Sequence, residues 1–259
     1  ENLTHNGLSS TSLIRMYPEN ISIEDMDLDQ HNFKSTYQMP KQKSCAVVGN
    51  SGILLNSLCG EDIDSNDFVI RCNVPDVSNY VKDVGTKTNV TIVFQATMLY
   101  LYRLYLNGTI HDEVLTRLHL LNDTILWYPE SFRSKNVPKN TAKAALKYLK
   151  TNFDLSFQFA ITFDNQLTWR LRRILKVTTP TTGIRAIIGA LSLCEHVNVY
   201  GFYPYALDLN GNNVSYHYYG PFLTVDEFDT KHNFSSEFQS LKILDNKNIL
   251  RLVTNTCKS

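Results

Sequence analysis

The sequence predicts an α/β fold in which a mostly parallel central sheet is flanked by helices. Two observations support this prediction. Short segments rich in β-branched and aromatic residues, each bounded by turn residues, alternate with segments in which apolar residues recur every three or four positions. The chain of 259 residues is also long enough to bury the sizeable core that one such domain needs.

The strand segments are β-branched or aromatic, and their alternation with helices implies a parallel sheet covered on both faces. They are residues 45–49, 68–72, 90–94, 124–128, 156–162, 197–201 and 249–254. Helical periodicity follows several of them, and it predicts helices at residues 111–121, 141–151, 165–176, 181–195 and 235–244.

Residues 1–43 differ from the rest of the chain, because they are polar and show little periodicity. We therefore predict an N-terminal arm over residues 1–43, with one helix near residues 21–33, and a folded α/β domain over residues 44–259. The acidic run at residues 25–29 has a spacing that can hold a metal ion, but it follows no strand. A solvated helix face is the better interpretation.

The charge balance excludes a strongly basic or acidic protein. Lys and Arg together number 25, as do Asp and Glu, so the formal net charge is zero. Bulk attraction to nucleic acid or to an anionic membrane surface is therefore not indicated. The longest apolar runs, such as residues 186–194, are too short to span a bilayer.

Seven Asn-x-Ser/Thr sequons indicate the secretory pathway, where N-glycosylation takes place. The candidate glycosylation sites are Asn2, Asn20, Asn89, Asn107, Asn122 and Asn213, and a seventh sequon begins at Asn233. The alternative is an Asn-rich cytosolic protein.

The five cysteines do not have the CxxC spacing of a structural zinc site. They are Cys45, Cys59, Cys72, Cys194 and Cys257. In an oxidising compartment four of them could pair and one stay free, and their spacing leaves the pairing open.

Three polar segments follow strands or begin a helix, where α/β sheets bind ligands. The turn Gly-Asn-Ser-Gly at residues 49–52 follows the first strand, and its glycines allow close approach of the backbone to a ligand. Asn73 ends the second strand, and Thr-Thr-Gly at residues 181–183 opens a helix whose first amides suit an anion. The alternatives are an ordinary βα turn and simple N-capping.

Two histidines lie in unusual surroundings. His217 stands in the aromatic run 216–219, and His232 lies just before a predicted helix. The other five histidines give no reason to assign them more than a structural or solvated role.

Together these segments resemble the sialyltransferases of animal cells, from about residue 45 to residue 257. Residues 45–85, with CAVVGNSG and DFVIRCN, are similar to the large sialyl motif, and residues 179–203 to the small motif. Residues 217–220 are similar to the third motif, and His232 with Glu237 to the very small motif. Cys59, the Arg-Cys-Asn tripeptide and the C-terminal cysteine resemble the α2,8 branch.

The resemblance implies a GT-A-like variant of the Rossmann fold. It implies disulfides Cys45–Cys194 and Cys59–Cys257, with Cys72 free, and a clamp on the loops around the phosphate. It also implies a Golgi-lumenal enzyme that is a type II membrane protein, held by a signal-anchor before a stem-proximal arm.

The resemblance further implies site residues. Asn50, Ser51 and Asn73 contact CMP, and Thr181, Thr182 and Gly183 line its cytidine and ribose side. His217 binds the phosphate, His232 is the general base, and Tyr203 stands where relatives usually have a Trp near the cytosine. Other positions also depart from the family pattern: Gln95 stands in place of a donor-contacting Asn, Thr181 in place of a Ser with the hydroxyl kept, and Gly220 in place of an Asp.

The implied reaction is transfer of sialic acid from CMP-sialic acid to a sialylated glycan on a glycoprotein or glycolipid, by inverting displacement and without a metal or other cofactor. No nucleic-acid partner is expected. One alternative is an α2,3- or α2,6-sialyltransferase acting on galactose or N-acetylgalactosamine. Another is a CMP- or sialoglycan-binding protein without turnover. A glycan at Asn233 would block the cleft beside His232, so that sequon is expected to be unoccupied.

Overall fold

The computed structural model describes residues 13–26, 36–107, 116–129, 139–162, 167–221, 223 and 232–257. Within them, nine strands form one sheet of order β2-β1-β7-β6-β5-β4-β3-β8-β9. The strands are β1 Ile14–Met16, β2 Tyr37–Gln38, β3 Gln42–Val48, β4 Phe68–Cys72, β5 Val90–Ile92, β6 Thr124–Tyr128, β7 Phe157–Thr162, β8 Cys194–Tyr200 and β9 Arg251–Val253.

The strands from β3 to β9 pair in parallel, whereas β1 pairs antiparallel with β7 and with β2. From β3 the chain builds outward through β4, β5, β6 and β7, and then returns to place β8 on the other side of β3. This reversal creates a switch point between β3 and β8, where α/β sheets bind ligands. The predicted α/β fold with a mostly parallel sheet is confirmed.

Seven α-helices are described around this sheet: α1 Gly60–Asp64, α2 Val81–Val84, α3 Gln95–Asn107, α4 Lys139–Asn152, α5 Leu167–Leu175, α6 Thr182–Leu193 and α7 Phe234–Asn246. Helices α4 to α7 correspond to four of the predicted helices. Of the helix predicted at residues 111–121, residues 116–118 are helical and His119–Leu121 form a 3₁₀ turn, while residues 111–115 lie outside the described residues.

The segment before residue 44 contributes strands that the sequence analysis did not predict. β1 and β2 extend the sheet beyond β7, and Tyr17 after β1 is fully buried. Residues 21–26 form turns rather than the start of a helix, and residues 27–33 of that predicted helix lie outside the described residues. The division between residues 43 and 44 stays a prediction.

The core is layered on both faces of the sheet because strand side chains alternate between faces. In β3, Cys45 and Val47 face a cluster that contains α6, whereas Ala46 and Val48 face a cluster that contains α1. A third cluster packs α3 and α4 on β6 and β7. Among the described residues, no helix is long and apolar enough to cross a bilayer.

Two disulfides join distant parts of the chain, in the pairing that the resemblance implied. Cys45 pairs with Cys194 and Cys59 with Cys257, while Cys72 is free and buried. The first bond joins β3 to the amino end of β8, the end away from the switch point. It therefore holds the two strands together, whereas the second bond joins the segment after the Gly-Asn-Ser-Gly turn to the segment after β9. The clamp on the loops around the phosphate stays a prediction.

Candidate active site

A cleft of about 360 Å³ lies at the carboxyl ends of β3, β4 and β8, at the switch point. Segments far apart in sequence line it together. The predicted site residues on its wall are Asn50, Ser51, Asn73, Thr181, Thr182, Gly183, Tyr203, His217 and His232. The fold thus brings together all of the predicted site residues whose side chains are described.

Two of the positions that depart from the family pattern can be partly placed. Gln95 begins α3, but its side chain lies outside the described part of the chain. Gly220 is exposed and has a φ of +79°, a conformation that strains other residues.

The glycines of the turn after β3 are required by protein packing. A Cβ on Gly49 would lie 2.4 Å from the carbonyl oxygen of Gly201, and one on Gly52 would lie 2.6 Å from that of Ser215. The amide of Gly49 donates to Tyr200 O at 2.8 Å. Close approach of a ligand, the reason inferred from the sequence, is therefore not what requires these glycines. They let the turn pack directly on the loops that follow β8.

The two asparagines are positioned by their neighbours. Asn50 Nδ2 donates to Cys72 O at 3.0 Å, while its buried Oδ1 has no hydrogen-bond partner among the described residues. Asn73 has a φ of +62°, which Asn tolerates better than most residues, and its Oδ1 accepts from Thr97 Oγ1 at 2.8 Å. A buried acceptor such as Asn50 Oδ1 is costly without a donor, so a ligand donor at this position would be favourable.

Ser51 is engaged within the protein. Its Oγ donates to Tyr203 O at 3.2 Å and accepts from Ile53 N at 3.4 Å, which caps a 3₁₀ turn at Gly52–Leu54. Its place in the cleft wall therefore serves first to hold the turn against the loop after β8.

Helix α6 points its first turn at the cleft. Thr181 is its N-cap, and Thr181 Oγ1 accepts from Ile184 N at 3.1 Å. The simple capping role considered from the sequence is therefore present. The first amides of a helix have no partner within it, so those of Thr182 and Gly183 suit an anion.

Glu237 was not predicted as a site residue, although it completes the very small motif. Its side chain is only 6% exposed, and it accepts hydrogen bonds from Thr181 N at 2.8 Å and from Thr181 Oγ1 at 2.6 Å. Burial raises the pKa of this carboxyl, while the bonds from Thr181 act in the opposite direction. Glu237 therefore fixes the start of α6 relative to α7.

His232 is oriented by the segment before α6. Its Nδ1 lies 2.7 Å from Thr179 O. A carbonyl can only accept, so Nδ1 carries the proton of the neutral ring, and Nε2 then carries the lone pair. The two motif segments are thus joined twice, through His232 and through Glu237.

His217 lines the cleft next to the turn after β3, because Tyr218 N donates to Asn50 O at 2.8 Å and so holds the third motif on that turn. The imidazole packs against Tyr216 and Tyr219, with ring centroids at 4.4 and 5.2 Å. Burial, and then the charge of Arg117, lower the pKa of His217 to about 4. Near neutral pH the ring is therefore uncharged.

Aromatic residues form the remaining wall. Tyr203 packs edge-on against Phe238 at 5.7 Å, and its hydroxyl donates to Leu207 O at 2.9 Å. Phe202, Tyr216 and Phe234 also line the cleft. Such surfaces suit a planar base. Among the residues that the structure describes, no group of three or more His, Cys, Asp or Glu side chains could hold a metal ion.

The sequons differ in their surroundings. Asn20, Asn122, Asn213 and Asn233 are exposed, whereas Asn89 is half-buried and accepts from Val69 N at 2.9 Å. Asn2 and the side chain of Asn107 lie outside the described residues. Occupancy, and its absence at Asn233, stay predictions.

Comparison with known proteins decides the family. The family model described as glycosyltransferase family 29 (sialyltransferase) matches residues 9–249. The chain belongs to this family. The resemblance found in the four motifs is thereby confirmed at the level of the family.

Two curated relatives carry the name alpha-N-acetylneuraminide alpha-2,8-sialyltransferase. The protein from Xenopus tropicalis is 33% identical over 224 residues, covering 83% of this chain and 62% of the relative. The protein from Xenopus laevis is 33% identical over 237 residues, covering 83% of this chain and 59% of the relative. The chain thus spans about three fifths of the length of these relatives.

Solved structures of mammalian sialyltransferases share the fold. One crystal structure superposes with a TM-score of 0.55 at 22% identity, covering 83% of this chain and 70% of the other. A second, in complex with Gal-beta-1-3GalNAc-ortho-nitrophenol, has the same TM-score and coverage at 23% identity.

Proposed function

We propose that this family 29 chain transfers sialic acid from CMP-sialic acid to the terminal sialic acid of a glycoprotein or glycolipid glycan, forming an α2,8 linkage. The observation that carries the proposal is the convergence of all four motif segments, with both histidines, on one cleft. The names of the two Xenopus relatives support the linkage.

The donor fits the cleft by its chemistry. The aromatic wall with Tyr203 suits the cytosine, and the first amides of α6 suit the phosphate. His217, uncharged near neutral pH, contributes a hydrogen bond from one ring N–H rather than a standing positive charge. Asn50 and Asn73 contribute amide groups beside the nucleotide.

His232 is the general base of the proposed reaction. Its Nε2 takes the proton of the acceptor hydroxyl while that oxygen bonds to the anomeric carbon of the donor. The bond from the anomeric carbon to the phosphate oxygen breaks, and CMP leaves with the electron pair. One displacement inverts the anomeric centre, and such a base contributes about 10²- to 10⁴-fold.

Charge on the departing phosphate is stabilised by preorganised donors at α6 and His217. CMP leaves with one phosphate, so the proposal includes no metal ion, and transfer is expected to persist in EDTA. Because disulfides form in oxidising compartments, the two bonds support a site of action in the Golgi lumen.

The proposal is tested by incubating the protein with CMP-sialic acid and matched sialylated and asialo glycans, followed by linkage analysis of the products. We expect α2,8-linked product on the sialylated acceptor only. Product on asialo acceptors in α2,3 or α2,6 linkage would contradict the linkage. CMP binding with neither transfer nor donor hydrolysis would contradict the enzyme. His232→Ala should bind CMP as wild type does and lose turnover by about 10²- to 10⁴-fold.

A further inference from the structure

A second cleft, of about 280 Å³, adjoins the nucleotide cleft. The two share Asn73 and Thr97 on their walls. The far side of the second cleft is formed by Tyr100 and Leu101 of α3 and by Arg117 in the helical turn before β6. None of the four sialyl motifs contains these three residues. The second cleft therefore extends the site beyond the segments that the sequence singled out.

Arg117 lines the second cleft and packs on Tyr219 of the third motif. Its guanidinium carbon is 4.8 Å from the ring centroid of Tyr219, and its charge contributes to lowering the pKa of His217. The arginine is half-buried and lines the second cleft. A permanent positive charge thus lies in the second cleft, next to the third motif.

The polar surroundings of Arg117 suit an anionic sugar. Among the described lining residues of the second cleft, Arg117 carries the formal charge and none is a carboxylate. Asn73 Oδ1 is occupied by Thr97 Oγ1, so the donor end of the Asn73 amide remains for a ligand acceptor. Tyr100 is 46% exposed and adds a phenol. Leu101 and Leu118 supply an apolar floor.

We propose that Arg117 binds the carboxylate of a sialic acid held in the second cleft. This sialic acid belongs either to the donor or to the acceptor. The planar guanidinium group can donate two parallel hydrogen bonds to one carboxylate, and this geometry favours a carboxylate ligand. This inference rests on the proposed function, in which both the donor and the acceptor carry such a carboxylate. The ligand group is the same carboxylate in both, and the experiment below distinguishes the donor sialic acid from the acceptor sialic acid.

The test uses Arg117→Gln, which keeps hydrogen-bond donors but loses the charge and the fork. Arg117→Lys keeps the charge without the fork. Arg103→Gln is the matched control, because Arg103 is exposed on α3 and lines neither cleft. Calorimetry measures the binding of CMP, of CMP-sialic acid, and of a sialylated glycan in the presence of CMP. The glycan is also tested with its carboxylate converted to the carboxamide. Urea unfolding reports whether each variant is folded.

We expect both Arg117 variants to bind CMP within about twofold of wild type, and to weaken binding of one sialylated ligand by about 10- to 100-fold. If the acceptor is the source, wild type should discriminate against the carboxamide glycan while Arg117→Gln binds both forms equally. If the donor is the source, the loss should fall on CMP-sialic acid and leave the glycan unchanged.

Unchanged affinity for both sialylated ligands in a folded variant would overturn the inference. An equal loss for CMP would also overturn it, because Arg117 would then act on the nucleotide through His217. These are binding measurements, so they remain decisive even if wild type shows no transfer. An inactive wild type would contradict the proposed function alone. Should Arg117→Gln fail to fold, Arg117→Lys and the carboxamide glycan on wild type answer the same question.

Discussion

Replacing Glu237 by Gln separates the stability of the fold from the arrangement of the site. Burial raises the pKa of this carboxyl in the folded protein, even though Thr181 donates to both of its oxygens. Because the pKa of Glu237 is higher in the folded protein than in the unfolded chain, protonation of this carboxyl stabilises the folded state. This stabilisation is complete below the pKa of the unfolded chain and is lost as the pH rises through the pKa of the folded protein. Once ionised, the buried carboxylate therefore costs stability, and an amide, which does not ionise, removes that cost.

The same substitution should lower kcat/KM. In Glu237→Gln the amide carbonyl can still accept from Thr181 N, but the bond from Thr181 Oγ1 loses its acceptor. A lost hydrogen bond is worth about 1–2 kcal/mol, which corresponds to about 5- to 30-fold in kcat/KM. We therefore expect the free energy of unfolding to change by less than about 1 kcal/mol, because relief of the burial cost offsets the lost hydrogen bond, together with a lower kcat/KM.

Urea unfolding and initial-rate transfer assays measure the two quantities, with Glu195→Gln on exposed β8 surface as the matched control. A drop of more than about 1 kcal/mol in the free energy of unfolding would show that the carboxylate stabilises the fold after all. Wild-type kcat/KM in Glu237→Gln would refute its role in positioning the start of α6.

Three further changes probe the frame of the site. Gly49→Ala places a Cβ 2.4 Å from Gly201 O, and should lower the urea unfolding free energy by about 1–3 kcal/mol; an unchanged value contradicts the packing. Burial lowers the pKa of His217 from 6.5 to about 4, so the free energy of unfolding should fall by about 3 kcal/mol as the pH is lowered from 6.5 to 4. His217→Gln should flatten that pH dependence of unfolding, and an unaltered slope contradicts burial as its cause. Changing Cys59 and Cys257 to Ser removes a disulfide between cysteines 198 residues apart in sequence, and should lower the free energy of unfolding in urea by up to about 5 kcal/mol. An unchanged free energy of unfolding would contradict this contribution.

The parallel sheet was predictable because its strands are buried on both faces and so are apolar throughout. The segment 68–72 is one example, since all five of its residues are buried in β4. β1 and β2 were not predictable, because strands of three and two residues carry no periodicity and form by pairing at the edge of β7. Helices α1 and α2 are likewise too short for a periodic pattern.

The site was predictable residue by residue only through its motifs. The bond between Glu237 and Thr181 joins positions 56 residues apart, and no local pattern shows such a contact. Arg117 lies outside all four motifs and reaches His217 only through the fold. The glycines of the turn after β3 were correctly singled out, but the neighbour that requires them is visible only once β3 and β8 lie side by side.

The cleft at the switch point between β3 and β8 is proposed to bind the nucleotide, and a crystal structure of the protein with CMP would show directly whether it does. We expect the phosphate to lie against the first turn of α6 and the ring of His217, with His232 facing the side of the phosphate from which an acceptor would arrive. CMP bound elsewhere, or a phosphate directed away from both α6 and His217, would contradict it.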